Sequence, residues 1–388
     1  MDNKVFAIRC SNYEEAEERL SLLIERMGGM GSFVSAGERI ILKVNLLRPA
    51  RPEEAVTPHP EVVKGVGKLV KDSGALPAIA DSPGSGYPYT VNILRRAYRK
   101  SGMNAVSSEI GCVLNLDTDW EVVSFPEGEL IKRFEIIKPV LQADGLINIC
   151  KLKTHEFMGL TGAVKNLFGV VPGLAKPGYH AKLHDPDLFA GMLLDLAEFI
   201  LPALSVMDTV VAMEGHGPGS GDPRHVGFLL ASTNPLALDV VAGEIIGLPY
   251  ENNPLLKEAE KRGLSPTRLK DVDLVGANPS ELKVPNFKLP SSFAPGSGLG
   301  QSPWLRRLLE NLLKNSMSVK PEIQKETCTA CGICATACPM EAITMENRSY
   351  ARIDHGECIR CYCCHEMCPE KAIELKHGFL YRKIIGDK

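Results

Sequence analysis

The chain has 388 residues, of which 44% are hydrophobic and 23% are charged, and its formal net charge at pH 7 is −3. This length predicts two domains, or one large and one small domain. The ordinary hydrophobic fraction argues against disorder, and the charge balance argues against nucleic-acid binding. No run approaches the roughly 20 apolar residues of a membrane-spanning helix, so we expect a cytoplasmic protein without a transmembrane segment.

Strand-like and helix-like runs alternate along the first 289 residues. This alternation predicts an α/β domain with a mostly parallel sheet over residues 1–289. Such sheets bind ligands at the carboxyl ends of their strands, and polar residues concentrate there in this sequence. The predicted strands are 5–10, 40–46, 76–80, 145–150, 204–208, 226–231 and 269–275, and the predicted helices are 14–27, 60–72 and 234–246.

The second predicted strand, IILKVNL, contains Lys43 and Asn45. A lysine is unusual in a strand that is buried on both faces. Either Lys43 points into a site or the strand lies at a sheet edge, and the sequence leaves both alternatives open. The next strand runs into Asp81 and the turn-rich segment 82–86, which binds phosphate or metal or is a surface turn. We regard Lys43, Asn45 and Asp81 as candidate substrate-binding residues.

The strand at 145–150 leads into KLKTH and then into GLTGAVKN. We predict that the strand ends at Lys151, that a basic loop follows, and that a glycine-containing turn opens a helix whose N–H groups favour an anion. Lys153, His155 and Lys165 are candidate catalytic residues around a carboxylate or phosphate, with His155 as a candidate acid. Asn166 is a candidate substrate-binding residue. A solvated basic loop is the alternative, and neither nucleotide-binding fingerprint is present.

The strand at 204–208 ends at Asp208, a candidate substrate-binding residue, and a glycine-rich loop with Glu214 and His216 follows. Loops of this kind close over substrates in many enzymes; a plain mobile loop is the alternative. His216 is a candidate catalytic residue that would pair with Asp208 or Glu214 for acid–base chemistry or for binding a divalent metal. His180 is a weaker candidate, and Asp239 is either a buried ligand or a helix-cap partner.

A segment rich in glycine, serine and proline at 290–303 predicts a linker. The amphipathic segment 304–313 follows, and it packs on its own domain or binds a partner or a membrane surface. We therefore assign residues 290–318 to a linker and a helix, and residues 319–388 to a second domain with a C-terminal tail.

Eight of the twelve cysteines form two copies of the pattern C-x2-C-x2-C-x3-C-P, offset by 30 residues. This pattern binds two [4Fe–4S] clusters in ferredoxins, where the fourth cysteine of each run binds the other cluster. It predicts a small α+β domain of the ferredoxin type that carries single electrons at low potential. The first cluster would take Cys328, Cys331, Cys334 and Cys368, and the second Cys358, Cys361, Cys364 and Cys338.

Other uses of these cysteines fit the pattern less well. Structural zinc sites combine two C-x2-C pairs rather than two four-cysteine runs that each close with Cys-Pro. A disulfide framework needs an oxidising compartment, and no secretory signal pattern is visible. Cys363 interrupts the repeat, and we expect it to shield or tune a cluster, with direct ligation as the alternative. We expect Cys10, Cys112 and Cys150 to be buried small hydrophobic residues.

Several segments resemble an uncharacterised family, domain of unknown function 362, that is often fused to a bacterial-type two-cluster ferredoxin module. The resemblance covers nearly the whole chain except the linker. It implies an iron–sulfur protein with an α/β domain, and it names no substrate. The matching stretches are IILKVNLL, TPHPEVVKGV, ALPAIADSPG, DGLINICKLKTHEFMGLTGAVKNLFGVVPG, VMDTVVAMEGHGPGSG and TNPLALDVVAGEIIG.

Three functions agree with these patterns. In a reductase, the clusters would relay low-potential electrons from a redox partner protein to a small anionic substrate in the α/β domain. In an electron-carrier subunit, they would pass electrons to a partner oxidoreductase. In the third alternative, the clusters are structural or sensing groups. No flavin or nicotinamide fingerprint is visible, so two-electron chemistry would need another cofactor or a substrate that accepts single electrons.

Overall fold

The computed structural model describes residues 2–293, 319–347 and 349–376. The first range forms a large α/β domain, and the other two form a small cysteine-rich domain that packs against it. Most of the predicted linker and amphipathic helix, residues 294–318, and the C-terminal tail from residue 377 lie outside the described residues. Among the described helices, none is long and apolar enough to cross a membrane.

The large domain alternates strands and helices over most of its length. Its strands are β1 (Lys4–Arg9), β2 (Arg39–Lys43), β3 (Leu76–Ala80), β4 (Val113–Leu114), β5 (Trp120–Ser124), β6 (Arg133–Ile137), β7 (Gly145–His155), β8 (Gly159–Thr161), β9 (Leu204–Glu214), β10 (Asp222–Ser232) and β11 (Asp273–Val275). Its α-helices are α1 (Ala16–Arg26), α2 (Pro60–Asp72), α3 (Val91–Lys100), α4 (Met103–Ile110), α5 (Lys138–Leu141), α6 (Ala163–Asn166), α7 (Lys176–Lys182), α8 (Pro186–Ile200), α9 (Pro235–Ile246), α10 (Pro254–Lys261) and α11 (Pro279–Leu282).

One mixed, mostly parallel sheet forms the centre of this domain. Its strand order is β11-β1-β10-β9-β7-β2-β3-β4, with β8 paired to β7. The strands from β9 to β4 in this order run parallel, and β11 is parallel to β1. Strand β10 is antiparallel to both β1 and β9. The predicted α/β domain with a mostly parallel sheet is confirmed.

Helices cover both faces of the sheet. Successive side chains of its inner strands point in opposite directions, so each inner strand presents apolar side chains to the helices on both faces. On β2, Ile40 and Leu42 join the apolar layer of α1, α2, α3 and α4. Ile41, between them, packs in the opposite layer with residues of α8 and α10. Burying each such side chain stabilises the fold by roughly 1.5–3 kcal/mol, so this alternation holds the strand ends in fixed positions.

Two inner strands are longer than their apolar runs predict. Both β7 and β9 contain 11 residues, so Lys151, Lys153 and His155 lie within a strand. The prediction that the strand ends at Lys151 is wrong, because β9 and β8 pair with this polar part of β7. Lys43 is fully buried and β2 lies between β7 and β3, so the sheet-edge alternative for Lys43 is also wrong.

The small domain repeats one strand–helix–strand unit around its two cysteine runs. Strand β12 pairs antiparallel with β15, and β13 pairs antiparallel with β14. The predicted small α+β domain of the ferredoxin type is confirmed. The elements are β12 (Lys320–Ile323), α12 (Ile333–Ala337), β13 (Ile343–Glu346), β14 (Tyr350–Ile353), α13 (Cys363–Met367) and β15 (Ile373–Lys376).

Candidate functional site

A pocket with four lysines in its walls lies near the carboxyl ends of β2 and β3. Lys43 ends β2, Lys153 lies on β7, Lys165 on α6, and Lys176 begins α7. The cavity of ≈50 Å³ has room for a few water molecules or a small anion. This position agrees with the general location of ligand sites in parallel sheets. We call it the lysine pocket.

The four lysine ammonium groups differ in the hydrogen bonds and ion pairs that they form with the protein. Lys43 Nζ forms an ion pair with Asp81 Oδ1 at 2.6 Å. Lys153 Nζ donates to two neutral oxygens, at 3.0 Å to Asn45 Oδ1 and 2.7 Å to the carbonyl of Val56. Within the part of the chain that the structure describes, the charge of Lys153 therefore has no direct counter-ion.

The two helix lysines are also poorly compensated. Lys176 Nζ donates to the carbonyls of Ser82 and Pro83 at 2.8 and 2.6 Å. Lys165 forms no hydrogen bond or ion pair with any residue that the structure describes, and the charge of Glu366 is the main influence that opposes the lowering of its pKa by burial. Lys165 therefore has donors available for a ligand.

Burial lowers the pKa of all four lysines, and it lowers the pKa of Lys176 to about 7. For Lys153, the neighbouring charge of Lys165 lowers the pKa further. The physical cause is the loss of hydration around crowded cations. An anion in the pocket would offset this cost, so the electrostatics favour anionic ligands.

Three side-chain amides hold the lysines in place. Asn45 Nδ2 donates to Asn166 Oδ1 at 2.7 Å, and Asn166 Nδ2 donates to Asn148 Oδ1 at 2.7 Å. Asp81 Oδ2 accepts the N–H of Leu46 at 2.6 Å, which fixes the carboxylate beside Lys43. Of the candidate residues named from the sequence, seven line this one pocket: Lys43, Asn45, Asp81, Lys153, Lys165, Asn166 and the weaker candidate His180.

Several buried polar atoms in the pocket wall have no hydrogen-bond partner among the described residues. They are Thr161 Oγ1, His180 Nδ1 and Glu366 Oε1. Burial lowers the pKa of His180 to about 3 and raises that of Glu366 to about 7. Because buried polar groups are bonded in most proteins, these atoms are groups that a bound ligand can satisfy.

The structure places His155 behind this wall rather than in it. The ring is fully buried, and its Nδ1 accepts the N–H groups of Phe157 and Met158 at 3.1 and 3.3 Å. The proton of the neutral ring is therefore on Nε2, which faces the small domain. Burial lowers the pKa of His155 far below its usual value, so the neutral ring is the relevant form.

Asp208 belongs to a separate buried cluster. Its Oδ2 lies 2.8 Å from Lys151 Nζ, and the carboxylate accepts the hydroxyl of Tyr13 at 3.2 Å and the N–H of His59 at 2.8 Å. Neither Asp208 nor Lys151 lines the lysine pocket. Asp208, a candidate substrate-binding residue from the sequence, therefore lies apart from the other candidates that line the lysine pocket.

His216 is half-exposed and also lies outside the pocket. Its Nδ1 is 3.0 Å from Glu156 Oε1, and this hydrogen bond raises the pKa of His216. The predicted pairing with Asp208 or Glu214 is wrong. Glu156, His216 and His365 bring three potential metal-ligand atoms within 4.8 Å of one another, although Glu156 is already bonded to the N–H groups of Ser291 and Ser292.

Asp239 caps the start of α6. Its carboxylate accepts the N–H groups of Ala163 and Val164, and burial raises its pKa to about 7. The prediction that this helix start binds an anion is wrong, because a side chain already occupies these donors. Helix α6 also has only four residues.

In the small domain, the eight cysteines of the two runs surround two enclosed cavities. Four sulfur ligands around each apolar cavity fit the donor set of a [4Fe–4S] cluster. Each set contains three cysteines of one run and the last cysteine of the other run, as the sequence predicts. The first cavity is lined by Cys328, Cys331, Cys334 and Cys368, and the second by Cys338, Cys358, Cys361 and Cys364.

The remaining cysteines lie outside these two sets. Cys363 is fully buried, and its hydrogen bond to Cys361 lowers the pKa of Cys361. This position agrees with a tuning role. Cys10, Cys112 and Cys150 are buried, as predicted.

The small domain closes the lysine pocket. Glu366 and Met367, at the end of α13, form part of the pocket wall. The glycine-rich loop after β9 holds this helix: a side chain at Gly219 would collide with the carbonyl of Glu366, and Ser220 Oγ donates to the carbonyl of His365 at 3.4 Å. Lys371 Nζ also donates to the carbonyl of Gly221 at 3.2 Å. The loop is therefore a docking surface for the small domain.

Two charged residues of the pocket, Lys176 and Glu366, are not predicted from the sequence. Lys176 follows no predicted strand, so no strand-end pattern marks it. Glu366 lies inside the second cysteine run, where the pattern predicts only the spacing of the ligands. The sequence signals for these two residues are the position of Lys176 directly before Pro177 and Gly178 and the position of the acidic Glu366 between two cysteines.

Comparisons with known proteins agree with these two domains. The family described as "Domain of unknown function (DUF362)" matches residues 40–244, and a 4Fe-4S dicluster domain matches residues 327–372. Thylakoid-associated protein sll1697 of Synechocystis sp. is 36% identical over 305 residues, which cover 76% of this chain and 90% of that protein.

A similar solved structure is the lactate racemase apoprotein from Thermoanaerobacterium thermosaccharolyticum, at 15% identity and a TM-score of 0.38. The likeness covers 61% of this chain and 55% of that one. From the family match and the identity to the Synechocystis protein, the chain is a member of the DUF362 family that carries a 4Fe-4S dicluster domain.

Proposed function

We propose that the protein is a reductase that passes low-potential electrons to a small anionic substrate in the lysine pocket. Two [4Fe–4S] clusters, held by the two sets of four cysteines, would supply single electrons. The donor would be a redox protein, and the expected compartment is the cytoplasm. In this proposal Lys153 and Lys165 bind the anion, Lys176 adds charge at the rim, and Lys43 with Asn45 and Asn166 positions them.

One observation carries this proposal. Helix α13 connects Cys364 of one set to Cys368 of the other, and the same helix supplies Glu366 and Met367 to the pocket wall. A ligand in the pocket would therefore lie within one short helix of the cluster-binding sulfurs. This arrangement supports the proposal, because an anion bound in the lysine pocket would lie beside the proposed electron source.

The first test is the cofactor content and its redox activity. Protein purified without oxygen should contain roughly eight iron atoms per chain, as two cubane clusters require. Potentiometric titration followed by electron paramagnetic resonance should show a spin-coupled reduced signal at low potential. Far less iron, zinc in its place, or clusters that no reductant reduces would contradict the electron-transfer function.

The second test separates a reductase from an electron-carrier subunit. Reduced protein is mixed anaerobically with a panel of small carboxylates, phosphates and oxyanions, and cluster reoxidation is followed by absorbance. A reductase reoxidises with one class of anion, and Lys165→Gln abolishes this reaction without iron loss. A carrier reoxidises only with a partner oxidoreductase and ignores the whole panel.

A further inference from the structure

A wide groove, separate from the lysine pocket, lies between the two domains on the side of α3. Its volume is ≈620 Å³. Cys331 and Pro369 of the small domain form one wall, and Arg51 and two residues of α3, Arg96 and Lys100, form the other. We call it the α3 groove.

The α3 groove reaches the most accessible edge of the cysteine sets. Among the twelve cysteines, Cys331 alone is exposed, and the others are half-buried or buried. Electron transfer between proteins becomes slower as the distance between their redox centres increases. A partner therefore gains its closest approach to the first set of cysteines by docking over Cys331.

The groove also carries a concentrated positive charge. Helix α3 presents four exposed cations, Arg95, Arg96, Arg99 and Lys100, and none forms an ion pair with a residue that the structure describes. This density stands out in a chain whose net charge is −3. Unpaired surface cations around one site attract acidic partners and increase their association rate.

Two carboxylates border the groove, and they leave its charge positive. Glu54 forms an ion pair with Arg48 at 2.9 Å, so this charge is already balanced. Glu370 stands on the small-domain side. The lining cations, Arg51, Arg96 and Lys100, outnumber the one acid that lacks a partner within the groove.

We propose that the α3 groove is the docking site of an acidic electron-transfer protein, which reduces the cluster at Cys331. One electron leaves the reduced centre of the partner and enters this cluster, and no bond or proton changes. The proposal rests on the proposed electron relay but not on a substrate in the lysine pocket.

The test compares two double variants with the same net charge. Arg96→Glu/Lys100→Glu reverses two charges of the α3 groove, and Arg133→Glu/Lys182→Glu reverses two exposed charges of a different surface groove. Each oxidised protein is mixed by anaerobic stopped flow with a reduced acidic two-cluster ferredoxin, over a series of salt concentrations. Photoreduction by deazaflavin, which needs no docked protein, verifies that every variant has working clusters.

We expect the bimolecular rate of the wild-type protein to fall as salt increases, because salt screens the attraction. At low salt, Arg96→Glu/Lys100→Glu should lower the rate by about tenfold or more, and the control pair by less than about twofold. Equal effects of both pairs, or a rate independent of salt, would overturn the docking site. The docking site would also be overturned if the wild-type protein bound anionic phosphatidylglycerol vesicles and Arg96→Glu/Lys100→Glu lost this binding but kept a normal reduction rate. That outcome would indicate a lipid surface. A missing substrate for the lysine pocket changes none of these outcomes.

Discussion

His155 Nε2 lies 3.2 Å from Glu366 Oε1, and this contact joins the large domain to the small one. The two atoms are close but not aligned for a hydrogen bond, and neither has another partner. Because Nδ1 of the ring accepts two N–H groups, the neutral ring carries its proton on Nε2, the atom nearest to the carboxylate. Glu366 lies at the pocket wall, where its negative charge competes with any anion for Lys165.

The first prediction follows from this competition. Glu366→Gln removes the negative charge and keeps the shape, so the affinity of the lysine pocket for sulfate should rise by about fivefold at pH 8, where the glutamate is ionised. Isothermal titration calorimetry measures the dissociation constant. Glu370→Gln, on an exposed residue of the same domain, is the control. An affinity that stays equal or falls would exclude competition by Glu366.

Removing a pocket cation should have the opposite effect. Lys165→Gln eliminates an ammonium group that forms no hydrogen bond or ion pair with any described residue, so the sulfate affinity should decrease by about tenfold or more. Iron content should remain unchanged because Lys165 lies outside both cysteine sets. The exposed Lys182→Gln serves as the matched control, and an equal loss in the two variants would show that only net charge matters.

Anion binding should weaken as the pH increases. Burial lowers the pKa of Lys176 to about 7, so this side chain is charged below that pH and becomes neutral above it. A bound anion favours the charged form, and the affinity for sulfate should therefore fall between pH 6 and pH 8. Lys176→Met should reduce this decrease, and the part that comes from ionisation of Glu366, whose pKa burial raises to about 7, should remain. A wild-type affinity that rises over the same range would contradict the assignment.

The Asp208 cluster should affect stability and leave ligand binding intact. Asp208→Asn leaves the buried Lys151 without its counter-ion, which costs on the order of 3 kcal/mol in unfolding free energy. Anaerobic urea denaturation followed by circular dichroism measures this change. The sulfate affinity of the folded variant should equal that of the wild type, and a large loss of affinity would return Asp208 to the binding site.

Cys363 should change the reduction potential of one cluster without binding iron. Cys363→Ala removes the hydrogen bond to Cys361, and hydrogen bonds to cluster sulfurs favour the reduced state. One cluster should become harder to reduce, while the iron content stays at roughly eight per chain. The neighbouring variant Cys364→Ala should lose a cluster. If Cys363→Ala loses iron to the same extent, Cys363 is a ligand and the repeat register is wrong.

The sequence predicts the lysine pocket best where apolar strands end in polar residues. Lys43, Asn45 and Asp81 follow this rule, because their strands are short and lie side by side. Asp208 breaks it: β9 continues past this residue, and the neighbouring Lys151 balances the charge inside the sheet. The pairing of the neighbouring strands β7 and β9 leaves no periodic pattern in the sequence of either strand.

The cysteine spacing predicts both sets of four cysteines, including the exchange of the last cysteine between the two runs. It carries no information about where the small domain docks, because docking depends on surface shape, such as the close contact of Gly219 with Glu366. For the same reason Glu366 could not be assigned to the pocket. Lys176 reaches the pocket through the packing of α7, which the local sequence does not specify.

The position of Glu366 and Met367 on a five-residue helix has a consequence for biosynthesis. A helix of this length is not stable by itself, and α13 lies between two cysteines of different sets. We therefore expect cluster insertion to help fix the last wall of the lysine pocket, together with the loop contacts at Gly219 and Ser220. Protein prepared without iron and sulfide should then bind anions less tightly than protein that carries both clusters.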